Sequence, residues 1–92
     1  MKLNKRNANH NERESIVRSI KWCRKNHESF AGHPFVDTLV GSGGVHIEVI
    51  VPPKTTAEVC GQALREAYQS RDVITHSIVE CPIDWFQAAS ND

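Results

Sequence analysis

Two β-branched runs, residues 35–40 (FVDTLV) and 45–51 (VHIEVIV), are separated only by Gly41-Ser42-Gly43-Gly44. Short alternating strands joined by a glycine-rich loop form an antiparallel hairpin. No other stretch constrains the fold as tightly, because a hairpin fixes both a neighbour and a direction. A four-residue loop sets Val40 against Val45, Thr38 against Ile47 and Val36 against Val49 on the inner face. The outer face then pairs Leu39 with His46, Asp37 with Glu48 and Phe35 with Ile50.

Helical patterns flank the hairpin. Upstream, residues 11–31 read NERESIVRSIKWCRKNHESFA. At helical spacing Ile16, Ile20, Cys23, His27 and Phe30 fall within an arc of about 80°, which predicts an amphipathic helix over 11–30. Asn9 or Asn11 is available as its N-cap, Glu12 and Glu14 suit its first turn, and Gly32 and Pro34 end it. Downstream, Pro52-Pro53-Lys54 closes the hairpin. Thr55-Thr56-Ala57-Glu58 reads as a capping box, Thr55 bonding forward and Glu58 reaching back. The second helix continues to about Ser70 and buries Cys60, Ala63, Leu64, Ala67 and Tyr68, with Gly61 allowing close approach to a sheet. Residues 72–81 (DVITHSIVEC) form a third strand by their β-branched content, with both phases open. After Pro82, Ile83-Asp84-Trp85-Phe86 is a turn or helical stub.

The order α-β-β-α-β predicts a small α+β domain. A right-handed crossover brings strand three parallel to strand two, giving a three-stranded sheet in the order 2-1-3 with both helices on one face. The opposite face, carrying Phe35, Leu39, Ile50 and either Ile78 or Val79, then needs a cover. The Trp85-Phe86 tail is the simplest cover, and a homodimer or partner through that face is the alternative. Residues 1–10 are polar and aperiodic, a flexible basic arm ahead of a single domain spanning 11–92. Ninety-two residues leave room for one core.

A net charge of zero conceals an asymmetry. Residues 1–25 hold eight basic side chains against Glu12 and Glu14, whereas residues 26–92 hold three basic against nine acidic. Either the positive end meets phosphate and the negative end a basic protein surface, or the two neutralise one another within the fold. No apolar run has bilayer length, and the basic N-terminus lacks the apolar segment of a secretory signal, so a cytoplasmic protein is expected. Three cysteines without a CxxC pair fit reduced, structural thiols.

Four chemistries compete with ordinary structural roles. Cys23 and His27, four apart on one helix with His33 close behind, have a spacing that aims two ligands at one zinc ion, with Cys60 or Cys81 completing the set. Both residues also belong to the apolar stripe, where a buried histidine satisfied by a carbonyl is the commoner outcome, and no metal or cofactor is expected. Asp37 and Glu48, opposed on the sheet near His46 and His76, require a cation between them. That cation is a nuclease metal, a partner's basic side chain, or Arg65 or Arg71 of this chain. A basic partner suits Asp37 and Glu48 better than catalysis, since a further carboxylate or lysine is missing, and a solvated sheet face suits them better still. Cys81 near His76 and Trp85 lacks the helix N-terminus and orienting acid of a nucleophilic thiol. The Gly41–Gly44 loop lacks the helix and Lys-Ser/Thr pair of a phosphate cradle and is a turn.

The remaining candidate is the polar side of the first helix. Arg13, Arg18, Lys21, Arg24 and Lys25 spread over the arc away from the apolar stripe, and Trp22 lies nearly opposite it. Cations at this spacing can contact successive phosphates, while the indole stacks on an exposed base or fills a protein pocket. The plainer reading is a solvated outer face with Trp22 covered by one of the termini.

In its compact element order, its basic stretch VRSIKWCRK, its acidic second half and its want of a catalytic motif, the chain resembles the small anti-CRISPR inhibitors of phages and other mobile elements. The resemblance spans the whole chain, rests on no shared motif and transfers no functional residues. It implies a non-catalytic blocker, acting in the host cytoplasm, that occupies a CRISPR effector's nucleic-acid channel or its Cas subunits. The basic helix would then lie near the guide-RNA or target-DNA path, with the acidic sheet side on the lysines that line it. A small DNA- or RNA-binding regulator is the alternative, and a metal-dependent nuclease a third.

Overall fold

The hairpin forms, but one residue out of the expected register. The computed structural model describes residues 3–26, 29–39 and 44–90, with the backbone alone over 36–39. In chain order the elements are β1 (Lys5–Asn7), a 3-10 turn (His10–Glu12), α1 (Arg13–Lys25), β2 (Ser29–Phe30), β3 (His33–Leu39), β4 (Val45–Val51), α2 (Ala57–Ser70), β5 (Val73–Glu80) and α3 (Ile83–Ser90). Leu39 pairs with Val45 and Phe35 with Val49, so Asp37 stands opposite Ile47 and not Glu48. The last pair is Leu39 with Val45 and not Val40 with Val45, and residues 40–43 lie outside the described residues. Where β4 begins, Gly44 has φ +145°, and a Cβ there would come within 2.9 Å of Ile74 Cγ2 and 3.2 Å of the Asp72 carbonyl. Only glycine fits so close to the start of β5.

The α+β class holds, whereas the predicted sheet and layering are overturned. Among the described residues the sheet has five strands in the order β1-β5-β4-β3-β2, in place of three strands ordered 2-1-3, and three α-helices cover both faces, in place of two helices on one. The crossover through α2 sets β5 directly beside β4, parallel, with Val49 opposite Ile78 and Ile50 opposite Val79. A βαβ unit closes most simply on the adjacent position, which leaves the far side of β3 to the two-residue strand β2.

Alternate residues of the central strands therefore enter two cores. On one face Ile47, Val49, Val51, Ile78 and Phe35 pack on Cys60, Ala63, Leu64 and Ala67 of α2. On the other, Ile50 and Val79 pack on Ile16 and Ile20 of α1 and on Trp85, Phe86 and Ala89 of α3. This two-sided burial explains why neither phase of residues 72–81 dominates: Ile78 serves one core and Val79 the other. Of the residues expected to need a cover, Ile50 and Val79 lie beneath α1 and the Trp85-Phe86 segment, whereas Phe35 and Ile78 belong to the core under α2.

Local chemistry sets the ends of the elements. Asn9 caps the 3-10 turn leading into α1, its side chain accepting from the Asn11 N–H at 3.1 Å while Glu12 reaches back to the Asn9 N–H at 3.1 Å. α1 stops at Lys25 and not at residue 30, and His27 lies outside the described residues. Ala31 (φ 48°) and Gly32 (φ 80°) make a two-residue left-handed turn between β2 and β3, the geometry that suits the twist of a tight hairpin. Phe30, expected on the helix stripe, instead meets the Phe35 ring at 4.3 Å. The cap of α2 is Thr56, one residue later than expected, accepting from the Val59 N–H at 3.2 Å, while the Thr55 hydroxyl donates to the Pro52 carbonyl at 2.8 Å.

Residues 5–7, read as part of a flexible arm, form β1 along the edge of β5, pairing Lys5 with Ile78, Arg6 with Val79 and Asn7 with Glu80. Ion pairs supply what this short polar strand lacks in burial. Lys5 meets Glu80 at 3.2 Å. Arg6 holds Glu12 through both of its carboxylate oxygens at 2.8 Å and Glu48 at 2.9 Å.

Candidate nucleic-acid interface

Burial of Ile16, Ile20 and Cys23 fixes the rotation of α1. The Cys23 thiol donates to the Phe35 carbonyl and ties the helix to β3. With that stripe inward, helical geometry carries Arg18, Lys21, Trp22 and Lys25 outward. α3 runs alongside, and the two helices border a shallow groove of about 710 Å³ whose α3 wall is Ala89 and Ser90. Trp22 is 56% exposed in this groove, whereas Trp85 is 2% exposed beneath α3. The indole is thus neither sealed by a terminus nor part of a core.

The cations of α1 divide into three kinds. Arg24 belongs to the fold: its Nη1 donates to the Phe86 carbonyl at 3.1 Å and to Ser90 Oγ at 2.9 Å, and its guanidinium lies 5.7 Å from the centre of the Phe86 ring. It straps α1 to α3 and forms a wall of the groove. Arg18 pairs with Glu14 at 3.7 Å, but both side chains are largely in water, so the pair is weak and exchangeable. Lys21 and Lys25 make no ion pair among the described residues. Arg13, predicted with this group, is exposed in the first turn of α1, three turns from Lys25, and does not line the groove.

The groove therefore offers an indole bordered by Arg18, Lys21 and Lys25, and among the described residues no carboxylate lines it. Nothing matches this chain among family models, curated proteins or solved structures. Its chemistry has to be read from the residues themselves.

The acidic candidates do not assemble as expected. Asp37 and Glu48 are not opposed, and the side chain of Asp37 lies outside the described residues. The cation on Glu48 is Arg6, a residue of the stretch expected to be a flexible arm. Arg71 instead lies over the Phe35 ring, 4.8 Å from its centre. Arg6 and the Asn9 N–H hold the Glu12 carboxyl below its ordinary range, and the two carboxylates raise the Arg6 guanidinium further still. His46 bonds Thr75 Oγ1 through Nδ1 at 2.7 Å. His76, one position along β5 from Thr75, projects to the other sheet face and bonds Tyr68 Oη at 3.0 Å. Burial, and then His46, push the His76 imidazole below its usual value. Burial likewise raises the Cys60 thiol and pushes Cys81 up to about 11, which is the behaviour of structural cysteines.

Sequence reasoning missed Ala89, Ser90 and the strap role of Arg24. The apolar positions 85, 86 and 89 carry a helical period that identifies α3. No sequence signal places α3 against α1. Among the described residues, no helix is long and apolar enough to cross a membrane.

Proposed function

We propose that this protein is a non-catalytic binding protein that engages a nucleic-acid-handling protein–RNA complex through the α1–α3 groove and acts by occlusion. The observation that carries the reading is Trp22, 56% exposed among the cations of α1. Burying an indole and neutralising fixed positive charge are both favourable, and a nucleic-acid path supplies the partner for both. The resemblance to anti-CRISPR inhibitors supplies the class of target, a CRISPR effector with its guide RNA. Asp37 would meet basic residues of that target, a role that Glu48 fills poorly while Arg6 neutralises it.

The test is a competition assay in which a purified effector–guide complex loads labelled target DNA. The wild-type protein should reduce loading, and the Lys21→Glu/Lys25→Glu double variant should not. Arg24 is left intact, since its removal would disturb the fold as well as the groove. Equal inhibition by the double variant would remove the groove from the account. Tight binding of free duplex, with log K falling by about 0.9 per phosphate contacted for each tenfold rise in salt, would favour a DNA-binding regulator instead.

A further inference from the structure

Resting on that reading, we infer that the groove takes an unpaired nucleic-acid strand, with one base stacked on Trp22 and phosphates on Arg18, Lys21 and Lys25. Arg18 lies one helical turn before the indole and Lys25 just under one turn after it. At 1.5 Å per residue the two cations are spaced about 10 Å along the helix axis, with the ring between them. An extended strand presents the same alternation, an anionic linker on either side of a flat apolar base.

The neighbouring wall supports this occupant. Ala89 is small, leaving room beside the indole, and Arg24 is committed to Phe86 and Ser90, so its charge stays fixed at the border. Among the described residues the carboxylate paired with these cations is Glu14, held to Arg18 only at 3.7 Å in an exposed pair. Duplex nucleic acid satisfies the cations but not the ring, because its bases are already stacked and must be opened first. An acidic protein segment likewise meets the lysines but presents no flat face to the indole. The charge favours a polyanion, and the exposed ring selects one with free bases.

Three phosphate contacts on a single strand predict a slope of log K against log salt of about −2. Binding to a free strand is therefore weak and salt-sensitive, with further affinity coming from the proteins of a complex. The assay follows tryptophan emission while a single-stranded octanucleotide, the same sequence as a duplex, heparin and polyglutamate are titrated at low salt. The buried Trp85 contributes a constant background, so a stacked base is read at Trp22. The single strand should quench emission and bind more tightly than the other three. Trp22→Ala should weaken it roughly five- to a hundredfold, and Trp22→Phe, which keeps a ring, should retain most of the affinity.

Tighter binding of duplex, heparin or polyglutamate, or undiminished single-strand binding by Trp22→Ala, would overturn the inference. Should the effector complex be bound while no free polyanion is, the unpaired strand falls and occlusion stands on protein contacts. Should the single strand bind with quenching while the effector complex is ignored, the strand stands and occlusion falls.

Discussion

Replacing Arg6 by methionine asks whether β1 is held in place by charge. The guanidinium makes two bonds to Glu12 and one to Glu48, with 39%, 29% and 29% of the three side chains exposed. Pairs this wet are worth about 0.2–1 kcal/mol each, and bidentate geometry places them toward the upper end. Without Arg6, two carboxylates that met the same Nη2 remain within about 6 Å of each other, repelling by roughly 0.7 kcal/mol in a water-like dielectric. Together these cost about 2 kcal/mol. In a domain of this size that lowers the Tm by about 8–16 °C.

The deficit also has a required pH dependence. Arg6, and then the Asn9 N–H, hold the Glu12 carboxyl below its ordinary value. A depressed carboxyl contributes stability above its unfolded pKa, and that contribution is lost as pH falls through the folded value. The gap between wild type and Arg6→Met should be full at pH 7 and close below about pH 4. Glu48→Gln in the Arg6→Met background should recover part of it at neutral pH. Thermal unfolding followed by circular dichroism at pH 7, 5 and 3 gives the comparison. Equal Tm values at pH 7, or an undiminished gap at pH 3, would refute the reasoning.

Two further outcomes follow from the helices and the thiols. Arg24→Met removes two hydrogen bonds and a cation–π contact between α1 and α3, and should cost about 1–2 kcal/mol; denaturant titration reads it, and an unchanged midpoint would show that the strap is idle. Cys23, Cys60 and Cys81 are all buried, so an aromatic disulfide reagent at pH 8 should find no thiol in native buffer and three in guanidinium. Prompt native reaction of any one of them would contradict its placement.

What the sequence discloses is local. The hairpin is visible because period-two runs flank a glycine loop, and α2 because Cys60, Ala63, Leu64 and Ala67 keep helical spacing up to Ser70. The inward stripe of α1 is visible for the same reason, and with it the outward position of Trp22. The misreadings are tertiary. β1 has three polar residues and no periodicity, and becomes a strand only because β5 offers an edge and Glu12 and Glu48 offer charge to Arg6. The register of β3 depends on one loop residue that composition does not count. The two-sided sheet hides behind an ambiguity: residues 72–81 give no clear phase because both phases are buried. Arg24 looked like any other cation of its helix, and α3 alone turns it into a strap.

The pairing of β1 with β5 also has a kinetic consequence. Lys5, Arg6 and Asn7 meet Ile78, Val79 and Glu80, so this edge closes a loop that contains both long helices and strands β2 to β4. Such a contact pays the entropy of a long loop before it is rewarded, and closure of this edge belongs to the final, long-range stage of folding.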